Sequence, residues 1–384
     1  MKMTNTTEPS TNKYYLGIMS GTSLDGIDVA LVSISKDNKT TFVAGAEFSF
    51  DNNLREKVLT LCKTQNTSLQ NLGEITVELS LAYAKAVNLF LRNKNIDPNQ
   101  IIAIGCHGQT VFHQPTGNSA FSMQLVDSAK ITANTNITTV TDFRSMDIAL
   151  GGQGAPLVPL FHQGLVSQMT EVCDESLVFL NIGGIANISI VNPAPLVGFD
   201  TGPGNVLLDS WVAKVTGKRF DENGDLASKG QCNYQLLALL KCEPYFDLAA
   251  PKSTGRELFN LDWLEQKLTE YNHKISDADI MATLVVLTCD PIIEGINHLP
   301  FGSLLVCGGG AKNKTIMQYL QMALPNWQVK VTDDMGISGD FMEAMAFAWL
   351  AHRCINRLSG NDPQVTGSRR AEICGSVTRI FNSF

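Results

Sequence analysis

The segment Gly198-Phe199-Asp200-Thr201-Gly202-Pro203-Gly204-Asn205 sets a single carboxylate where an apolar run gives way to a helical one, 206–215. Strand ends are where open α/β folds place their chemistry. Asp200 is therefore a candidate general base, if it lies within hydrogen-bond reach of a substrate hydroxyl or a water. The plainer alternative is that its side chain only stabilises the turn.

Three glycine-rich stretches could handle phosphate. Gly21-Thr22-Ser23-Leu24-Asp25-Gly26 meets the first six places of a P-loop, but Ile27-Asp28 follow where Lys-Ser/Thr belong, which disfavours a P-loop NTPase. A tight turn of glycines and hydroxyls can still aim several backbone N–H groups at phosphate oxygens, each charge-assisted bond being worth roughly 1.5–3 kcal/mol. Asp25 or Asp28 would hold Mg²⁺, directly or through water. Asn181-Ile182-Gly183-Gly184-Ile185-Ala186-Asn187 offers a second backbone cradle, and Gly308-Gly309-Gly310-Ala311-Lys312-Asn313 a third, at a strand-to-helix junction suited to an anion or nucleoside. Neither fits G-x-G-x-x-G, which argues against a dinucleotide fold. Singly each reads as a close-packed turn; together, at equivalent places, they point to a nucleotide.

Arg144, in Asp142-Phe143-Arg144, could make a forked contact to a substrate carboxylate or an internal pair with Asp142 or Asp147. Asp340-x-x-Glu343 reads as a capping box for the last long helix, and Glu343 could equally reach a sugar hydroxyl. His107 and His113 have no zinc-ligand spacing, and Ser20, Ser23 and Ser253 lack a nucleophile elbow.

These residues need a scaffold, and its plan is repeated. Residues 14–34 read as a hairpin around the first glycine turn, with a third strand at 41–50, helical spacing over 51–93 and a buried strand over 101–108 that ends in a glycine turn. A second hairpin spans 177–190, and after further helices the strand 303–307 runs into Gly308. Two such rounds predict a duplicated α/β architecture with a cleft between the halves. The expected domains are 13–141, joined by the C-terminal segment 345–384 packing back near the hinge, and 142–344. The last helix should show Phe341, Ala344, Met345, Ala348, Trp349 and His352 alternating with polar positions.

At 384 residues, two domains are the natural expectation. The chain is 44% hydrophobic and 17% charged, a composition that folds. A net charge of −8 leaves no basic footprint for nucleic acid. Nine cysteines without a C-x-x-C pair read as reduced core thiols, and no segment reads as a signal core or membrane span, so a cytoplasmic protein is expected.

Taken together, Gly17-Ile-Met-Ser-Gly-Thr-Ser-Leu-Asp-Gly-Ile-Asp28, Cys106-His-Gly-Gln-Thr110, Asp142-Phe-Arg144, Gly151-Gly-Gln-Gly-Ala-Pro156, Asn181 to Asn187, Phe199 to Asn205, Pro251-Lys-Ser-Thr-Gly-Arg-Glu257 and Cys307 to Asn313 closely resemble anhydro-N-acetylmuramic acid kinases, over about residues 14–358. The resemblance implies two duplicated actin-like (ribonuclease H-like) domains closing on ATP. It also implies a reaction: water opens the 1,6-anhydro ring of 1,6-anhydro-N-acetylmuramic acid while the γ-phosphate of ATP passes to O6, giving N-acetylmuramic acid 6-phosphate for peptidoglycan recycling. On that pattern Asp200 activates the water, and Arg144 and Glu343, with His107 and Gly202, hold the sugar. The ATP and Mg²⁺ set would be Gly21, Thr22, Ser23, Leu24, Asp25, Gly26, Ile27 and Asp28, then Gly183, Gly184 and Asn187, then Gly308, Gly309, Gly310, Lys312 and Asn313. Partners are then ATP and a small amino sugar, with no nucleic acid and no membrane; a homodimer is left open. Three places depart from the pattern: Glu243 stands for an aspartate, Ala250 for a proline, and Cys289-Asp290-Pro291 is expected to interrupt a helix. The rivals are a related sugar kinase with another acceptor and a non-catalytic ATP-dependent binding protein.

Overall fold

The computed structural model describes residues 13–21, 24, 26–168 and 176–380; Thr22, Ser23 and Asp25 of the first glycine turn lie outside the described residues. By their internal contacts the residues form two compact units, Met1–Met146 with Glu343–Gly360 and Glu372–Phe384, and Asp147–Met342 with Asn361–Ala371. This division differs from the expected 13–141 and 142–344. Residues 142–146 fall in the first unit, and the tail is split because 361–371 is tied into the second. The tie is Asp147: fully buried, its Oδ1 accepts from Asn361 Nδ2 at 2.7 Å and Thr366 Oγ1 at 2.6 Å, and its Oδ2 from the Gly154 amide at 2.7 Å.

In the first unit β1 (Lys13–Met19), β2 (Ile27–Ile34) and β3 (Thr40–Phe48) form an antiparallel meander; β4 (Ile101–Cys106) then lies parallel to β1, and β7 (Thr139–Thr141) parallel to β4. A short strand, Ser376–Thr378, closes the edge beside β7. The hairpin of β5 (Gln109–Gln114) and β6 (Phe121–Leu125) stands apart as a two-stranded sheet. Helices α1 (Asn52–Thr64), α2 (Leu69–Lys94) and α3 (Ser128–Thr135) begin on the caps Asp51, Ser68 and Asp127, each side chain accepting from first-turn amides. The helical stretch read as 51–93 is thus two helices. Leu79, Tyr83, Val87 and Phe90 of α2, at helical spacing, enter one core with Leu16, Ile18, Val29 and Ile104.

The short helix α4 (Ser145–Ala149) carries Asp147, and the second unit then repeats the plan. After α5 (Val158–Val166) come β8 (Ser176–Ile182), β9 (Ile185–Asn192) and β10 (Val197–Pro203), an antiparallel meander; β11 (Gly302–Cys307) runs parallel to β8, and β12 (Trp327–Val331) parallel to β11. If strands are numbered by appearance within each sheet, the five strands of the second unit follow the order 3-2-1-4-5 with only the second reversed, and the sheet of the first unit has the same order with the antiparallel edge strand Ser376–Thr378 added as a sixth. This is the duplicated α/β fold the repeat predicted. Helices α6 (Asn205–Thr216), α7 (Tyr234–Lys241), α8 (Leu261–Tyr271), α9 (Asp277–Ile296) and α10 (Lys314–Ala323) cover this sheet, with Trp211, Phe259, Leu284 and Ile292 in its core.

Two local expectations fail. Cys289-Asp290-Pro291 does not interrupt a helix: α9 runs through buried Pro291, and Asp290 accepts from Lys241 Nζ at 3.5 Å and Tyr319 OH at 3.2 Å. The final helix, Met342–Ile355, is not amphipathic over its centre, since every residue from Ala344 to Ala351 is buried. Its tight seat in the first unit explains two glycines. A Cβ on Gly17 would lie 1.7 Å from the Ala344 carbonyl oxygen, and one on Gly105 2.0 Å from that of Phe347. Among the described residues no helix is long and apolar enough to cross a membrane.

Candidate active site

In the first unit the glycine turn is braced from below. Ser20 Oγ donates to Gln109 Oε1 at 2.8 Å, which leaves Tyr83 OH to donate to Ser20 Oγ, also at 2.8 Å. Leu24 takes a left-handed φ of 53° and its amide donates to Gly21 O at 3.0 Å. Ile27 is buried at the start of β2. Asp28, half-buried, sits opposite Met19 on one side and Glu47 on the other, so the two carboxylates share a sheet face. Glu47 also fills the space beside Gly26, where a Cβ would lie 2.5 Å from its Oε1.

Three of the residues expected to hold the sugar come together in this unit. Arg144 donates to Nε2 of His107, from Nε at 3.2 Å and from Nη2 at 2.8 Å. His107 directly follows β4 and is 4% exposed, with its ring 4.7 Å from that of Phe347. Burial, with the Arg144 guanidinium adding to it, holds His107 well below 6.5. Burial pushes the Glu343 carboxyl upward, and the same guanidinium opposes the rise. Arg144 thus has a histidine for its hydrogen-bond partner, while Asp147, one of its suggested mates, is committed to Asn361, Thr366 and Gly154. The capping-box reading of Asp340-x-x-Glu343 also gives way. The helix starts at Met342, and Asp340 pairs with Lys312 at 2.7 Å.

In the second unit Asp200 lies on β10 just before a register shift between Asp200 and Gly202. Its amide donates to Lys252 O, and its Oδ2 accepts from the Thr254 amide, both at 3.0 Å. Asn187 stands directly across from Asp200, and Asn181 across from Asn187, which makes one polar row over three strands. Asn187 therefore stands beside Asp200. Gly202 backs onto Phe246, whose ring edge would be 3.0 Å from a Cβ there.

The two later glycine bends meet in this unit. Gly183 O and Gly184 O accept the amides of Gly204, Asn205 and Val206 at 2.8–3.1 Å, so the carbonyls of this bend cap α6. Asn205 Nδ2 donates to Ile182 O at 3.0 Å and would lie 3.5 Å from a Cβ on Gly309. Glycine is required by packing at Gly308 (φ 78°, a Cβ 2.4 Å from Asn181 Oδ1) and at Gly310 (2.3 Å from Ile182 Cγ2). At Gly183, Gly184 and Gly309 no protein atom comes within 3.4 Å of such a Cβ. Asn313 Oδ1 is spent as the α10 cap, accepting from Thr315 and Ile316 amides at 3.0 and 3.2 Å. Lys312 is exposed and ion-paired with Asp340. Asn181, Asn205, Thr254 and Gln109 were not singled out for roles by sequence, although each lies inside a motif quoted above.

Two α/β units of one topology, with glycine turns at their strand ends, make up a duplicated α/β fold. The family model for anhydro-N-acetylmuramic acid kinase matches residues 13–380. The Haemophilus influenzae anhydro-N-acetylmuramic acid kinase is 48% identical over 378 residues, covering 95% of this chain and 97% of that protein. The Vibrio vulnificus enzyme of the same name is 47% identical over 368 residues, covering 95% and 98%. Component A of the (R)-2-hydroxyglutaryl-CoA dehydratase of Acidaminococcus fermentans, a solved structure, aligns with 88% of this chain and 98% of its own at 11% identity and a TM-score of 0.44, too remote to bear on this site. This chain belongs to the anhydro-N-acetylmuramic acid kinase family.

Proposed function

We propose that this chain transfers the γ-phosphoryl group of ATP to O6 of 1,6-anhydro-N-acetylmuramic acid while a water opens the anhydro ring, giving N-acetylmuramic acid 6-phosphate. The observation that carries this reading is Asp200, a half-buried carboxylate beside the bulge in β10 with one oxygen fixed by the Thr254 amide. Asp200 takes a proton from the water as the water oxygen bonds to C1 and the C1–O6 bond breaks. O6 takes the phosphoryl group as the bond to the ADP oxygen breaks. Sugar, water and ATP become sugar phosphate and ADP, and the proton leaves Asp200 for solvent.

Phosphoryl transfer asks a protein chiefly for positioning and charge neutralisation. Arg144, His107 and Glu343 would hold the sugar, with Gly202 on the Asp200 side. The Gly21–Asp28 turn, Gly183 with Gly184, and Gly308–Gly310 would border ATP. A Cβ at Gly183, Gly184 or Gly309 would meet protein atoms only at ordinary contact distance, 3.5–3.7 Å for the nearest, and backbone this lightly crowded suits a phosphate chain lying against it. Mg²⁺ needs only one or two carboxylates beside phosphates and water, and Asp28, sharing a face with Glu47 and near Asp25 in sequence, fits that need. When bound, the ion neutralises phosphate charge. Such a reaction recovers a peptidoglycan sugar in the bacterial cytoplasm.

Phosphorylation measured on the anhydro sugar, glucose and N-acetylglucosamine tests the substrate. Turnover confined to the anhydro sugar is expected; equal turnover on a plain hexose would remove the ring-opening claim.

A further inference from the structure

Asp200 is held from behind by one run of chain. Tyr245 OH donates to Asp200 O at 2.7 Å, Lys252 O accepts the Asp200 amide, and the Thr254 amide donates to Asp200 Oδ2. Lys252 binds this run to itself: its Nζ donates to Tyr245 O and Phe246 O, both at 3.2 Å, and sits 4.8 Å from the centre of the Tyr245 ring. Tyr245 is 5% exposed and packs edge-on against Phe259, which in turn meets Trp263; Trp263 Nε1 donates to Glu243 Oε2 at 2.9 Å. The departure Glu243 is thereby absorbed at the far end of the cluster.

We propose that Tyr245 is a positioning residue for Asp200, its hydroxyl fixing the strand at that carbonyl so that the carboxylate stays set against the Thr254 amide. This rests on the reading of Asp200 as the base. The chemistry suits the task. Burial first, and the Asp200 charge second, raise the Tyr245 pKa, so the phenol keeps its proton and remains a donor. A ring locked among aromatics loses little further freedom in making the bond. The bulge after Asp200 makes such a tether necessary, since the strand there departs from regular pairing with β9.

Tyr245→Phe removes one oxygen and keeps the ring. In the full chain, with ATP and the anhydro sugar, kcat should fall at least tenfold while KM for ATP stays within twofold. Trp263→Phe is the control, because it deletes one hydrogen bond, together with part of a ring, from the same aromatic cluster at the Glu243 end. It should lower the melting temperature about as much as Tyr245→Phe and keep kcat within twofold. A Tyr245→Phe enzyme with unchanged kcat, or a Trp263→Phe enzyme that loses as much kcat, would overturn the proposal. Asp200→Asn separates the two levels. If it still turns over, the base assignment itself fails; if it is inactive while Tyr245→Phe is unimpaired, only the positioning role fails.

Discussion

Arg144 and His107 form a fork on a single lone pair: Nε and Nη2 of the guanidinium both donate to Nε2 of the imidazole, at 3.2 and 2.8 Å. A guanidinium cannot accept, so the ring is neutral and carries its hydrogen on Nδ1. Lysine offers no planar fork. Arg144→Lys should raise KM for the sugar by about tenfold, or ~1.4 kcal/mol, with KM for ATP unchanged. Steady-state kinetics with each substrate varied in turn will decide, and a selective loss of ATP affinity would assign Arg144 elsewhere.

Buried neutral histidines make stability depend on pH. Burial lowers His162 to about 3 and His107 well below 6.5, so on acidification the unfolded chain takes up protons that the folded one refuses. This stabilisation is complete above the unfolded value near 6.5 and is lost as pH falls from there. His162 alone should cost about 2 kcal/mol between pH 7 and pH 5. The raised carboxyl of Glu343 works in the opposite sense, favouring the folded state as pH falls toward its own range. Urea unfolding at pH 5, 6, 7 and 8 should show a steep loss below 6.5 and a plateau above; a flat profile would mean that these rings are hydrated.

The glycines of the second unit fall into two kinds, and alanine should tell them apart. Gly309→Ala and Gly183→Ala meet no atom within 3.4 Å, so melting temperature should hold within a few degrees while KM for ATP rises at least roughly tenfold, as expected where backbone meets phosphate. Gly310→Ala would drive a methyl into Ile182 and should cost about 2–3 kcal/mol of stability. Unchanged ATP kinetics in both Gly309→Ala and Gly183→Ala would remove the two bends from the nucleotide site.

Asp147 accepts three hydrogen bonds with no exposure to water. Asn at this position turns a donor toward existing donors, and Asp147→Asn should cost roughly 2–3 kcal/mol, the scale of bonds to a buried charge. Equilibrium unfolding measures it. A loss under 0.5 kcal/mol would mean the network is dispensable.

The repeat was legible because strand, bend and helix follow one another in local sequence with clear periodicity, and glycine marks each bend. Asp200 stood out for the same reason, as a lone carboxylate between an apolar run and a helix, although it falls within β10 and not at its end. Its support was not. Tyr245, Lys252 and Thr254 lie 45 to 54 residues away, and hydrogen bonds from backbone amides and carbonyls leave no side-chain signature. Asn313 shows the converse: it sits in a glycine motif, yet its oxygen serves the helix that follows. Helix α9 runs on through Pro291 where a break was expected, because long tertiary burial outweighs one lost hydrogen bond.

The coupling of ring opening to phosphorylation can be read from one isotope. With the enzyme, ATP and the anhydro sugar in ¹⁸O-water, and product analysed before anomeric exchange, one labelled oxygen should appear at C1 and none in the phosphate. Label in the phosphate, or a phosphorylated product with no label at C1, would contradict attack of an Asp200-activated water on the anomeric carbon.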